Sequence, residues 1–227
     1  EVMLKRERVM TADFAAIADR EIEVNDGAVL LHRSGQPHRI GPMMNVYNEE
    51  TLAHLAQRGA THVCLPSELP REAAARLAAC AAMLGVGVEV MVFGRASLAV
   101  SARCYHARAH GRVKDNCQFV CETDLDGMAL KTLENQPFLA INGIQTLSHS
   151  YVDLLGDVPD LVAAGIGHLR LSPHTLDMVA VARTFRSVAD GVMATDDGER
   201  QLRALGPDLS FCNGFWHGQA GHCFVAA

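Results

Sequence analysis

The sequence predicts an α/β chain, a TIM-barrel-like (β/α) repeat forming a single domain over residues 1–227. Three observations carry that expectation. β-Strand, loop and helix signals recur with short connections, which implies a parallel sheet with helices outside it. The apolar load, 49% of the chain, rests on Ala, Leu and Val, with only 5% aromatic residues, a balance that favours helices packed on a Val/Leu-rich sheet over a β-sandwich. The 227 residues are ample for one core but short of the roughly 250 that eight (β/α) units occupy. Five or six units are legible, so the chain reads as most of a barrel lacking its first strands, with no linker, low-complexity tract or second domain.

The elements follow in order. Residues 12–24 read as a helix and 28–32, "AVLLH", as a weak strand. Residues 39–48 read as a strand ending in a polar loop. A helix follows over 48–60, with Asn48 as N-cap, Glu50 and Thr51 in its first turn and Gly59 at its end. "THVCLP" (61–66) is a short buried strand. The segment 67–85 is a strong helix with Ser67 as cap and Gly85 as terminator, and 86–94 is the next strand. After a cysteine-bearing stretch the pattern resumes, with a strand at 138–143, a helix over 151–165, a strand at 168–173 and a long amphipathic helix over 175–191. The tail is irregular and glycine-rich and holds the single Trp.

Charge and cysteine usage narrow the function classes. A formal net charge of −6 and a pI near 6.0 argue against broad binding to nucleic acid or to an anionic membrane. No apolar run approaches a membrane span and no signal peptide is legible. The chain opens on Glu1 rather than Met, so its natural N-terminus is expected to lie further upstream. Seven cysteines, an odd number and mostly scattered, do not form a secreted disulfide framework; reduced thiols in a cytoplasmic protein fit better.

Three of the seven fall within 18 positions, as Cys104-x12-Cys117-x3-Cys121. Soft thiolates at this density suit an iron–sulfur cluster or zinc, and the spacing alone does not separate the two. Cys117 and Cys121, four apart, share a face of a helical turn, and Cys104 approaches from the preceding loop. Arg103, Arg108, Arg112 and Lys114 offset an anionic centre. His106 and His110, also four apart, are candidates to ligate, to line the site or simply to face solvent. Buried or solvated thiols are the bland alternative.

The stretch "SARCYHARAHGRVKDNC", with "INGIQTLS" (141–148), "RLSP" (170–173) and "CNGFW" (212–216), resembles the UbiV family of ubiquinone-biosynthesis accessory proteins, within the collagenase-like peptidase superfamily. The likeness runs from about residue 12 to about 222, and "HVCLPSELP" also fits it. The resemblance implies a [4Fe-4S] cluster held by Cys104, Cys117 and Cys121, with a fourth ligand from an early βα segment that the sequence does not contain. It also implies a heterodimer with a UbiU-like paralogue and a UbiT-like lipid-carrier protein that brings the isoprenylated quinone precursor. The activity it implies is O2-independent ring hydroxylation with prephenate as oxygen donor. A non-catalytic partner with a structural metal site and an RNA hydroxylation factor are the alternatives. The net charge weighs against the last, and no stable nucleic-acid partner is expected.

Other residues are weighed singly. Asn142, Gln145 and Thr146 follow a strand and are expected at the barrel mouth, lining a small-molecule pocket or satisfying their own loop. Arg170 is a candidate two-pronged ligand for a substrate carboxylate, or else the partner of a neighbouring Asp or Glu. Cys64 and Cys80 read as packing residues, and Cys212 and Cys223 as opportunistic fourth ligands. Trp216 reads as a core plug rather than a lid. No GxSxG elbow, HExxH helix or phosphate loop occurs, so a peptidase mechanism finds no support and no catalytic residue is assigned.

Overall fold

A computed structural model describes residue 13, residues 20–113 and residues 116–226. The helix expected over 12–24 falls largely outside these residues, as does Lys114; the end of that span, Glu23–Val24, is a strand.

The repeat is present, with β1 (Glu23–Val24), α1 (Gly27–Arg33), β2 (His38–Ile40), α2 (Glu49–Ala56), β3 (Ala60–Cys64), α3 (Arg71–Leu84) and β4 (Gly87–Val100). Strands β1 to β4 are parallel neighbours in that order. The fifth strand of this layer, β8 (His168–Leu171), pairs parallel with the first half of β4. Along β4, Val88, Val90 and Val92 are buried on the helix-covered face, whereas Glu89 and Met91 alternate onto the opposite, more open face. On that open face Arg170 of β8 reaches Glu23 of β1, the far edge of the layer. Such a contact requires the sheet to curl. The result is a curled half-barrel.

Between β4 and β8 the chain makes an antiparallel excursion. The second half of β4 leaves the parallel layer and pairs with β7 (Gln145–Asp153), which pairs with β6 (Pro137–Asn142), which pairs with β5 (Met128–Lys131). The branch point is Gly94, at φ 110, where an added Cβ would lie 2.6 Å from the Ser172 Cβ and 2.8 Å from His174 Nε2. The short helix α4 (Tyr105–Ala109) and a 3-10 turn, Val120–Thr123, sit in this excursion ahead of β5. Helix α5 (Val158–Ala163) links β7 to β8, and after β8 come α6 (Met178–Ala189), α7 (Thr195–Leu205) and β9 (Phe211–Cys212), the last pairing parallel with β7.

Several expectations are corrected. Residues 28–32 are helix, because the Asp26 side chain accepts from the Ala28 and Val29 amides (2.8 and 3.0 Å) and starts a turn that outweighs the strand preference of Val-Leu-Leu. Ser67 does not cap the next helix; that helix starts at Arg71 with Pro70 at the N-cap. Residues 151–153 complete β7 rather than beginning a helix. Asn48 caps α2 as expected, accepting from the Thr51 amide at 2.8 Å, and Gly85, at φ 69, ends α3. Strands β5, β7 and β9 and the helix α7 were not legible in the sequence. The core lies between the strands and helices, with Leu52, Leu77, Leu155, Leu161 and Leu202 all 2% exposed or less. Each such leucine contributes about 2 kcal/mol of burial.

Candidate functional site

Two centres emerge. The first is the cysteine segment between β4 and β5. Cys104 is buried at the N-cap of α4, where its Sγ accepts the Ala107 amide at 3.3 Å. Cys117 precedes the 3-10 turn; its Sγ accepts the Phe119 amide at 3.4 Å, and its carbonyl accepts from Arg112 at 2.8 Å. Cys121 lies in the 3-10 turn, and all three are free thiols. Phe119, with φ 52, and Gln118, with φ 52, carry the left-handed backbone that turns the chain between Cys117 and Cys121. Arg112 thus braces the loop through a backbone carbonyl. Arg103 and Arg108 are exposed.

This segment is anchored by His106, a candidate from the sequence, and by Asp124, Asp126 and His174, which the sequence did not single out. His106, fully buried, hydrogen-bonds through Nδ1 to the Ile141 carbonyl of β6 (3.2 Å) and through Nε2 to Asp124 (2.9 Å). Asp126 accepts from the Thr175 amide at 3.0 Å, and from its hydroxyl, which ties the segment to the loop after β8. His174, in that loop, accepts the Arg95 amide at 3.1 Å and lies 3.4 Å from Asp126. Burial holds His174 below the ordinary histidine range, against the opposing pull of Asp126.

The second centre is the open face of the half-barrel. Arg170 donates to Glu23 and Glu89, and Arg39 of β2 lies 3.8 Å from Glu89 and 2.9 Å from Glu21. Burial raises the Glu23 carboxyl, yet hydrogen bonds from Arg170 and Asn25 leave it below its ordinary value. A cavity of about 270 Å³ opens beside this layer, lined among others by Met43, Cys64, Met91, Val100 and Arg170. Burial pushes the Cys64 thiol well up, so it stays protonated and packs. Of the two roles weighed for Arg170, the carboxylate partners are in place within the protein itself. Asn142 and Gln145 are not among the residues that line the cavity, although Gln145 pairs with Val100, which does. They face each other across the β6–β7 hairpin, where Gly143, at φ 59, takes the first of two turn positions. The structure therefore does not bring Asn142, Gln145 and Arg170 into one pocket. Thr146 pairs with Ile141 in the same hairpin.

Cys212 and Cys80 serve the core, while Cys223 is half-buried in the tail and outside it. Cys212 is 3% exposed, its thiol pushed up to about 11 by burial, and Cys80 packs partly buried against the core. Trp216 is 4% exposed and its carbonyl accepts from the Arg71 amide at 3.0 Å, which gives it the plug role. The tail loop is closed by Asn213, whose side chain exchanges two hydrogen bonds with Val225 (2.7 and 2.8 Å).

A curled (β/α) half-barrel with a thiol-bearing antiparallel excursion defines the class of this molecule. A family model described as peptidase family U32 matches residues 13–223, and the chain belongs to that family. No solved structure matches it. No helix among the described residues is long and apolar enough to cross a membrane.

Proposed function

We propose that this chain is a UbiV-type iron–sulfur subunit of an O2-independent hydroxylation system in ubiquinone biosynthesis. It would act as a heterodimer with a UbiU-like paralogue, with a UbiT-like carrier presenting the isoprenylated ring and prephenate as oxygen donor. The observation that carries the reading is the cysteine segment: three free thiols in one braced excursion, two of them accepting backbone amides at sulfur. Amide hydrogen bonds to sulfur are among the means by which proteins tune iron–sulfur clusters. The donor set fits such a cluster, with Cys104, Cys117 and Cys121 as the ligands this chain supplies. When bound, the cluster supplies one-electron chemistry. The protein's own part is to hold the thiols in place through Arg112, His106 and Asp126 and to offer an open cavity beside the charged layer. The family's peptidase label does not carry over, since the chain shows none of the nucleophile or metal motifs such an activity would use.

The test is anaerobic co-purification with the UbiU-like paralogue, followed by iron and sulfide analysis and a ring-hydroxylation assay. Four irons and four sulfides per cluster are expected, with both iron and hydroxylation lost in Cys117→Ala while the heterodimer persists. Zinc in place of iron, or hydroxylation undiminished in that variant, would remove the redox reading and leave a structural metal site.

A further inference from the structure

We propose that His106, His110 and Asp124 form a second metal site, separate from the three cysteines, for one divalent transition-metal ion of the zinc class. One donor atom from each of the three residues lies within 4.8 Å of the other two. Donors on a single tetrahedral zinc, at bond lengths of about 2.0–2.1 Å, are about 3.4 Å apart, so the widest separation has to close by up to roughly 1.4 Å, a shift open to the exposed His110 ring.

The hydrogen bonds around the two rings select the ligand atoms. His106 Nδ1 faces the Ile141 carbonyl at 3.2 Å, and His110 Nδ1 faces the His106 carbonyl at 3.0 Å. A carbonyl only accepts, so each Nδ1 must carry its proton, and a neutral ring then keeps its lone pair on Nε2. This is the arrangement that metal-ligating histidines adopt, with the non-ligating nitrogen committed to a backbone carbonyl. The rings stack nearly parallel, at 14° and 5.3 Å between centroids, as their i, i+4 spacing allows.

The three side chains already converge: His106 Nε2 lies 2.9 Å from an Asp124 oxygen, and a donor atom of His110 lies within 4.8 Å of both. A proton bridges only the His106–Asp124 pair, whereas a metal ion would engage His110 as well. The Thr123 hydroxyl, which donates to the Val120 carbonyl at 2.8 Å, lies 3.2 Å from the same Asp124 oxygen. The ring of His106 is fully buried, Asp124 is 34% exposed at its side chain and His110 is exposed, so an ion can enter from solvent. Two imidazoles and a carboxylate suit zinc, cobalt or iron(II) better than calcium or magnesium. Three protein ligands leave a position for water or a small anion. The site stands whether or not the cysteines hold a cluster.

Metal-free protein without a polyhistidine tag, titrated with Co2+ and followed by visible absorption, tests this. One equivalent is expected to bind with ligand-field bands and no thiolate charge-transfer band, and zinc is expected to displace it. Because His110 is exposed, His110→Ala leaves the core intact, as circular dichroism would verify; it and Asp124→Asn should each weaken binding at least about tenfold. The Cys117→Ser/Cys121→Ser variant should bind as the parent does. Binding that is lost in the cysteine variant but kept in His110→Ala would overturn the site, as would the absence of saturable binding.

Discussion

Asp153, the last residue of β7, gives the sharpest quantitative prediction. Its carboxylate is 3% exposed, accepts the Leu155 amide at 3.1 Å, and has Arg203 Nη2 at 3.2 Å from the other oxygen but off the hydrogen-bond direction. Burial outweighs these partners and raises its pKa from an ordinary 3.8 to about 6. The folded state therefore holds a proton that the unfolded state has released. Ionised Asp153 costs stability above pH 6, and that cost is relieved as pH falls from about 6 towards 4. At 1.36 kcal/mol per pKa unit the full cost is about 3 kcal/mol, of which about 2 kcal/mol appears between pH 4.5 and 8. Asp153→Asn keeps the acceptor for Leu155 and cannot titrate. Denaturant unfolding of parent and variant across that pH range should show the variant gaining about 2 kcal/mol on the parent as pH rises. A difference independent of pH, or one of opposite sign, would show that Arg203 compensates the charge in full and that the burial argument fails.

Further outcomes are expected. Gly94→Ala should cost at least about 2 kcal/mol, because φ is 110 and the new Cβ would press on Ser172 and His174; a denaturation curve checks it. Arg170→Met should destabilise by about 2 kcal/mol, moderated by the partial exposure of the group, by leaving Glu23 and Glu89 without their shared cation. Adding Glu23→Gln should recover part of the loss, and a double-mutant cycle measures the coupling. Trp216→Ala should lower stability by about 3–4 kcal/mol if the indole plugs the core, and a melting temperature close to that of the parent would return the residue to a lid role.

The parallel layer was legible because each of its units is written locally. Asn48 caps a helix, Gly85 ends one, and Val88, Val90 and Val92 alternate along a strand with one face under helices. The excursion was not legible because its strands are specified by one another. β7 reads "QTLSHSYVD", with little apolar alternation, and becomes a strand through pairing with both β4 and β6. Helix α7 buries only Gly198 and Leu202, too narrow a stripe to be seen against its acidic start. Among site residues, the cysteines were visible by their spacing. Glu23, Glu89, Asp124 and Asp126 were not, since their partners lie on other elements: Arg170 is 147 positions from Glu23 and 81 from Glu89.

The placement of the two centres follows from Gly94. Below it, β4 carries Glu89 in the charged layer and bonds to β8; above it, the same strand carries Ser97 to Val100 along the cavity wall and then delivers the chain to Cys104. A glycine there lets one strand serve both the parallel layer and the antiparallel excursion, because no side chain stands between β4 and the Ser172–His174 loop. That loop in turn binds Asp126, just past the 3-10 turn that holds Cys121. The cysteine segment is thus fixed from both ends, by β4 on one side and by the β8 loop on the other. A change at Gly94 should therefore disturb the geometry of the thiols as well as the stability of the fold, which distinguishes it from Trp216→Ala, whose effect should be confined to stability. Thiol reactivity of Cys117 and Cys121 measured on the two variants at matched fractions folded separates the cases: equal reactivity would mean that the branch point does not set the thiol geometry.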